Sequence, residues 1–507
     1  MNNRVKFCVL LVLISFFGCN TTPENIVKIY SDQIISSNFI GNGVQWSAYP
    51  HADSENAEWG NLMTAEKWDM NFKRLDFMKP KLFRVMDQAN WRYLVGFDKE
   101  DNPILSFDNP EVKAVEKILD YAQQNNISVL FGEWGTPYKV HDKKEGFSDK
   151  FTGANDPKWI NCIVEYLDYL IIEKGYTCIK YYNLINEPNG DWASTKGDFN
   201  EWKEGVVLLS KAIKEKGLDT FITVAGPDAV HRYNNPNSTY SGIGWIEQSA
   251  KQLTEEIGIY EVHDYAKPSM VKSGEFQVFN EKAAKIPKAL NKQIIFGEIG
   301  LGKSNATNQE RAKNDPFASK DSQMMVYDYS YGIYMADAAI QIMNAGYSGA
   351  AAWALDDAMH TLDDIGNKNE LKRWGMWNSL GTEICNNPED ENIRPWFYSW
   401  SLLCRYFPTG SSIIKTDETK IAGIRLTAAT YKDDITVALI NNSDIPNKIT
   451  LDLSTSKTLR KYVYTAQDRK TDKNNFPVPV ATNIICKDFL NIELPANSFL
   501  LLTTIKY

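Results

Sequence analysis

Cysteine is scarce in this chain: there are seven in 507 residues, and two of them, Cys8 and Cys19, fall within the first twenty. The remaining five, Cys162, Cys178, Cys385, Cys404 and Cys486, are odd in number, so they cannot all pair internally. Their spacing lacks the regularity of a zinc or haem site. A chain this long, with 43% hydrophobic and 12% aromatic residues, buries an ample core without disulfide staples. The thiols therefore read as small buried side chains, and neither metal nor cofactor is expected. Positive charge is also short: 55 Lys and Arg against 64 Asp and Glu give a net charge of -9, which argues against nucleic acid as a partner. There is no internal repeat and no long low-complexity linker. The apolar run Phe7 to Phe17, behind Arg4 and Lys6, is too short to span a membrane and reads as an export signal.

That signal ends at Gly18-Cys19, which resembles the lipobox of bacterial lipoproteins. The resemblance implies acylation of Cys19 as the first mature residue; ordinary secretory cleavage is the alternative. Residues 1–19 are thus expected to be a lipoprotein-type signal peptide, and residues 20–37 a tether with a possible strand. The expected location is the bacterial outer membrane, facing the periplasm or the cell surface, with membrane contact only through the lipid at Cys19.

Strand-like apolar runs recur at 39–46, 82–87, 128–134, 181–187, 221–226, 258–263, 292–298 and 349–355. Between them lie helical patterns, such as 110–126 after Asn109-Pro110, 157–174 after Asp156-Pro157, 199–216 and 321–345. Eight alternating units predict a (β/α)8 TIM barrel over 38–407, in the α/β class. Beyond a helix containing Trp396 to Tyr406, Pro408-Thr409-Gly410 breaks the pattern, and short alternating runs follow at 421–430, 434–440, 448–453, 459–464 and 489–494. Residues 408–507 are expected to form an antiparallel β-sandwich.

Two of the barrel runs end in glutamate. Tyr181 to Glu187 stops at Asn186-Glu187-Pro188, and Gln293 to Glu298 stops at Glu298-Ile299-Gly300. Most of the 64 acidic residues must be solvated surface charges, and a single strand-end glutamate would mean little. Two of them, on non-adjacent strands whose C-termini open on one face, supply the carboxylate pair that glycoside hydrolysis requires.

Asn186-Glu187-Pro188 resembles the acid/base motif of glycoside hydrolase clan A, and Phe296-Gly297-Glu298-Ile299-Gly300 is similar to the nucleophile motif of its family 5, the cellulase-like enzymes. His263-Asp264-Tyr265 is similar to the His-x-Tyr between those motifs, and Arg84 to an arginine near the end of the second strand. Where many family members carry histidine after the third strand, this chain has Phe131-Gly132-Glu133-Trp134, so families 30 and 39 remain open. The resemblance implies a retaining β-glycosidase acting on oligo- or polysaccharide. Glu298 would be the nucleophile, kept ionised by Arg84 and the Tyr265 hydroxyl. Glu187 would be the acid/base, and Asn186 a donor to the sugar 2-hydroxyl.

His263 is expected to orient the site or touch substrate, although an isolated histidine fits a structural role equally. Trp353 is the best candidate for the platform beneath the reacting sugar, with a buried core position as the competing account, and Trp46 and Trp134 are weaker candidates for flanking subsites. Glu133 echoes the context of Glu298 and is its rival. Asp356, Asp357, Asp363 and Asp364 read as a solvated acidic loop rather than a calcium site. A transglycosylase using the same glutamates, or a catalytically silent glycan-binding lipoprotein, are the competing functions.

Overall fold

A computed structural model describes residues 25–49, 59–137, 150–303, 305–361, 367–454 and 456–507. The expected signal, Cys19, and Asp363 and Asp364 lie outside the described residues.

Eight parallel strands close into a barrel: Gly41–Gln45, Leu82–Asp87, Ser128–Glu133, Ile179–Asn183, Thr223–Val230, Ile257–Ala266, Ile294–Leu301 and Gly349–Ala352. Each overlaps one of the eight expected runs. Helices begin where short polar residues cap them. Asn109 accepts from the Val112 N–H before Pro110–Gln124, Asp156 from Lys158 before Pro157–Asp168, and Asp198 from Asn200 and Glu201 before Phe199–Glu215. The expected helix over 321–345 is divided. A short turn, Met324–Tyr327, precedes Tyr329–Asn344, because Asp328 between them is extended (φ -93°, ψ 141°).

One inward-facing layer fixes the rest of the barrel interior. Ile40, Leu82, Leu130, Ala225, Ile259, Ile295 and Ala351 form their own buried cluster, with Tyr181 against it. Side chains alternate along a strand, so the residues two positions further on also point inward, one layer nearer the open end. On six of the strands those positions are Arg84, Gly132, Asn183, Glu261, Gly297 and Trp353. The interior therefore changes from aliphatic to charged within one layer.

The second unit is a mostly antiparallel β structure. Its strands run in the order Ala481–Cys486, Lys457–Tyr464, Ser498–Thr503, Asp434–Asn441, Ile424–Tyr431, Ser411–Thr416, Ile26–Phe39, Asn447–Asp452 and Phe489–Leu494. Ile26–Phe39 pairs antiparallel with Ser411–Thr416 and parallel with Asn447–Asp452, the one parallel pair among them. Two faces of the central strands have different partners. Val437, Leu439, Leu500 and Leu502 join a core with Ile449, Leu451, Ile492 and Leu494, whereas Ala438, Ile440, Phe499 and Leu501 join the barrel's core. At this seam the buried Asp337 carboxylate, on helix Tyr329–Asn344, accepts from Arg425 (2.8 Å) and Asn442 (2.9 Å). All five cysteines are free and buried.

Candidate active site

The open end of the barrel gathers Glu187, Glu298, His263, Arg84, Asn186 and Tyr265 into one hydrogen-bonded group. Arg84 is fully buried and acts as its hub. One guanidinium nitrogen donates to Glu298 Oε2 (2.7 Å) and Gln45 Oε1 (2.6 Å), the other to Asn186 Oδ1 (2.6 Å), with Asp228 Oδ2 at 3.5 Å. The Tyr265 hydroxyl donates to Glu298 Oε1. His263 Nδ1 lies 3.0 Å from Glu187 Oε1 and 4.0 Å from Glu298 Oε2, so one imidazole stands between the two glutamates. Carboxylate oxygens of Glu187 and Glu298 and the histidine nitrogen lie within 4.8 Å of one another.

Irregular backbone aims these groups. In strand seven Phe296 pairs with Val262 and Glu298 with His263, leaving Gly297 as an extra residue. Bulges of this kind re-aim a side chain, and here the bulge carries Glu298 to the interior although Phe296, two residues earlier, faces outward. Gly297 cannot be anything larger, because a Cβ there would sit 1.6 Å from Glu261 Oε1. Strand five does the same: Pro227 pairs with Glu261 and Ala229 with Val262, with Asp228 extra at φ 57°. Glu187 also sits in the left-handed region, at φ 48°. That conformation is unfavourable for a side chain larger than glycine and needs an external hold. Its backbone N–H donates to Asp228 Oδ2 (3.0 Å), which also accepts from Asn183 (2.6 Å).

Beneath the two glutamates lies a second acidic layer. His263 Nε2 is 2.7 Å from Asp228 Oδ1 and 3.1 Å from Glu261 Oε1, all fully buried. Burial alone would lower the His263 pKa, but the neighbouring carboxylates, Asp228 first and then Glu298, outweigh it and hold the imidazole well above its ordinary value. Asp228 is held down despite its burial by His263 and Arg84. Glu261 is pushed well up by burial and by the Asp228 charge. For Glu298 the expectation from sequence is corrected. Burial raises its pKa, and the pull of His263, Arg84 and the Tyr265 hydroxyl only partly offsets that. Two groups, Glu187-His263-Glu298 and Asp228-Glu261-His263, have donor atoms close enough to hold a metal ion. The Arg84 guanidinium already supplies positive charge beside both, at Glu298 in one and Asp228 in the other.

The aromatic candidates divide. Trp353, at the end of strand eight, stacks on His360 (5.2 Å, 17°) and meets Trp134 edge-on (6.0 Å). Trp134 in turn lies 5.8 Å from the Arg84 guanidinium, so both tryptophans border the charged group. Trp46 does not. It is fully buried and faces away from the barrel axis, packed on Trp68 (5.9 Å), Phe83 (5.7 Å) and Tyr121 (6.2 Å). Its strand parity, one residue beyond inward-facing Gln45, puts it in the outer core. Glu133 is outward for the same reason, one residue beyond inward-facing Gly132. Its carboxylate accepts from the Tyr93 hydroxyl (2.6 Å) and the Ala89 N–H (2.9 Å), and burial pushes its pKa up to about 8. Asp356 and Asp357 are buried, not solvated. Asp356 accepts from Tyr49 (2.6 Å) and Ser379, and Asp357 from Arg394 and the Trp374 and Gly375 N–H groups.

Four site residues were missed from sequence. Glu261 carries a usable signal, since it falls on the inward parity of its strand and lies two residues before His263; Gln45 turns inward opposite Arg84, out of step with Ile40 on the same run. Asp228 depends on a bulge and Trp192, which donates to Glu187 Oε2 (2.7 Å), on a loop path, and neither leaves a periodic mark.

In sequence, the model of the family described as Cellulase (glycosyl hydrolase family 5) matches residues 174–344, the stretch that contains both glutamates and His263. No curated protein matches the chain. Among solved structures, the fold is similar to a conserved exported protein from Bacteroides fragilis (14% identity, TM-score 0.66, covering 94% of this chain and 100% of that one). It is also similar to the catalytic domain of GH30 xylanase C from Talaromyces cellulolyticus (13%, 0.62, 95% and 100%) and to a GH39 β-xylosidase from Caulobacter crescentus (12%, 0.58, 95% and 100%). The resemblance to clan A read from the motifs is thus met by a family 5 sequence match and by family 30 and 39 folds.

Proposed function

We propose that the protein is a retaining β-glycosidase that cleaves oligo- or polysaccharide by double displacement, with Glu298 as nucleophile and Glu187 as acid/base. The observation that carries this is the approach of the two carboxylates, with oxygens within 4.8 Å. Retaining enzymes keep their carboxyl groups about 5–5.5 Å apart, whereas inverting ones leave about 6.5–9.5 Å for a water. Glu298, fixed through both oxygens by Arg84 and Tyr265, attacks the anomeric carbon while Glu187 protonates the departing oxygen. Glu187 then takes a proton from water, which displaces Glu298 and restores the starting configuration.

Asn186 gives its carbonyl oxygen to Arg84, which leaves its amide nitrogen to donate to the sugar 2-hydroxyl. His263 stands between the pair, in contact with Glu187 and 4.0 Å from Glu298, and holds their relative position through both steps. Attachment through an acylated Cys19 in a bacterial outer membrane belongs to the same proposal and rests on the leader sequence. The xylanase and β-xylosidase likenesses support hydrolysis of a β-linked glycan without choosing the sugar.

The test uses an aryl β-glycoside whose good leaving group needs no proton. Glu187→Ala keeps the first step on it, and azide restores turnover with a β-glycosyl azide as product. Glu298→Ala loses turnover and gives, with azide, the opposite anomer. Equal, azide-insensitive activity in both variants would sink the assignment.

A further inference from the structure

We infer that Trp192 and Tyr233 form a sugar-binding platform on the leaving-group side of Glu187. This rests on the glycosidase reading above. Glu187 presents two different oxygens: Oε1 faces His263 and, beyond it, Glu298, while Oε2 accepts the Trp192 indole N–H at 2.7 Å. The departing sugar must lie against the acid that protonates it, so a ring touching Glu187 on the side away from Glu298 faces that sugar. Trp353 follows strand eight and Trp134 strand three, whereas Trp192 and Tyr233 lie on the loops after strands four and five.

Trp192 is 51% exposed, whereas Trp46, Trp159, Trp202, Trp245, Trp377, Trp396 and Trp400 are fully buried. The Trp192 ring lies largely outside the core that buries those others. It is nevertheless held in place. A Cβ on Gly190 would lie 2.4 Å from the indole Cε2, so only glycine lets the ring lie over that backbone. Tyr233 packs at 4.9 Å from it, and the Tyr233 hydroxyl donates to Asp191 (2.9 Å). Asn189 then clamps the two loops together, accepting from the Val230 N–H (2.9 Å) and donating to the Val230 carbonyl (3.1 Å). A preorganised aromatic pair beside the acid, with Trp192 exposed and Tyr233 half-buried against it, is suited to the flat C–H face of a pyranose. The same indole N–H ties Glu187 down, so a sugar seated on the ring also bears on the orientation of the acid.

The probes are the β-linked disaccharide that the wild type cleaves fastest from a panel of gluco-, xylo- and manno-oligosaccharides, and the β-glycosyl fluoride of the same sugar. Fluoride brings no ring to the leaving-group side. Trp192→Ala is expected to lower kcat/KM on the disaccharide about tenfold more than on the fluoride, the size of one good aromatic contact. Trp192→Phe, which keeps a ring but not the N–H, falls between, and Tyr233→Ala follows Trp192→Ala in direction. Equal losses on the two substrates would overturn the platform while leaving the glycosidase reading intact. A wild type that releases sugar from neither probe would overturn both.

Discussion

Replacing Gly297 by alanine tests whether Glu298, the proposed nucleophile, depends on the acidic layer beneath it. The added methyl would stand 1.6 Å from Glu261 Oε1 and 2.4 Å from its Cδ, far inside van der Waals contact, so one side must move by more than an ångström. Neither has free space. Glu261 is fully buried with its carboxyl 3.1 Å from His263 Nε2, and Gly297 is the bulge residue immediately before Glu298. Overpacking of this kind typically costs about 1–3 kcal/mol of stability. The chemical cost should exceed that, because a displacement near 1 Å in a catalytic group lowers rates by about 10²-fold, or roughly 2.7 kcal/mol of barrier. The assay is kcat/KM on the best disaccharide, alongside thermal unfolding. A second substitution, Glu261→Ala, removes the obstructing carboxyl, and the double variant should be less impaired than the two single losses added together. If Gly297→Ala stays within threefold of wild type in kcat/KM with unchanged melting, Glu261 does not brace the nucleophile and this account of the bulge is wrong.

Glu133→Gln should keep kcat/KM within about twofold, since the residue faces away from the cleft, and it should also alter the pH dependence of stability. A carboxyl whose folded pKa is raised from 4.5 to about 8 binds more protons folded than unfolded between those values, so wild-type stability falls as pH rises through that window, and denaturant titrations of the Gln variant should show a flatter slope. Arg425→Ala leaves the buried Asp337 carboxylate without its cation, and should cost about 3–5 kcal/mol while lowering one shared melting transition for barrel and β unit together; two separate transitions would mean the units are merely tethered.

The barrel was legible because its strands are short apolar runs at regular intervals, and Asn109-Pro110, Asp156-Pro157 and Asp198 mark helix starts by capping chemistry. Less of the β unit was visible. Ser498–Thr503 reads as an unbroken apolar segment, since both of its faces are covered, so the alternation that reveals a half-exposed strand is missing. Within the site, the two glutamates, Arg84, His263 and Tyr265 stood out by type and place. Trp46 was misjudged through parity: it lies one residue beyond inward-facing Gln45 and so belongs to the outer core, and Glu133, the rival ranked below Glu298, lies outward for the same reason. Asp228 and Glu298 point inward only through bulges, which shift parity by one without a sequence signature. Asp356 and Asp357 looked solvated because charge suggests water, yet arginine, tyrosine and backbone donors distant in sequence bury them.

The central claim is that Glu298 forms a covalent bond to the sugar, and trapping that bond tests it most directly. A 2-deoxy-2-fluoro β-glycoside of the preferred sugar, with an activated leaving group, slows breakdown of the intermediate so that it accumulates. Digestion and mass spectrometry should then find one added fluoroglycosyl group, on the peptide containing Phe296 to Gly300 and on Glu298 itself, with none in the Glu298→Ala variant. A label on Glu133, or full hydrolysis to an inverted sugar with no label on any peptide, would contradict the account.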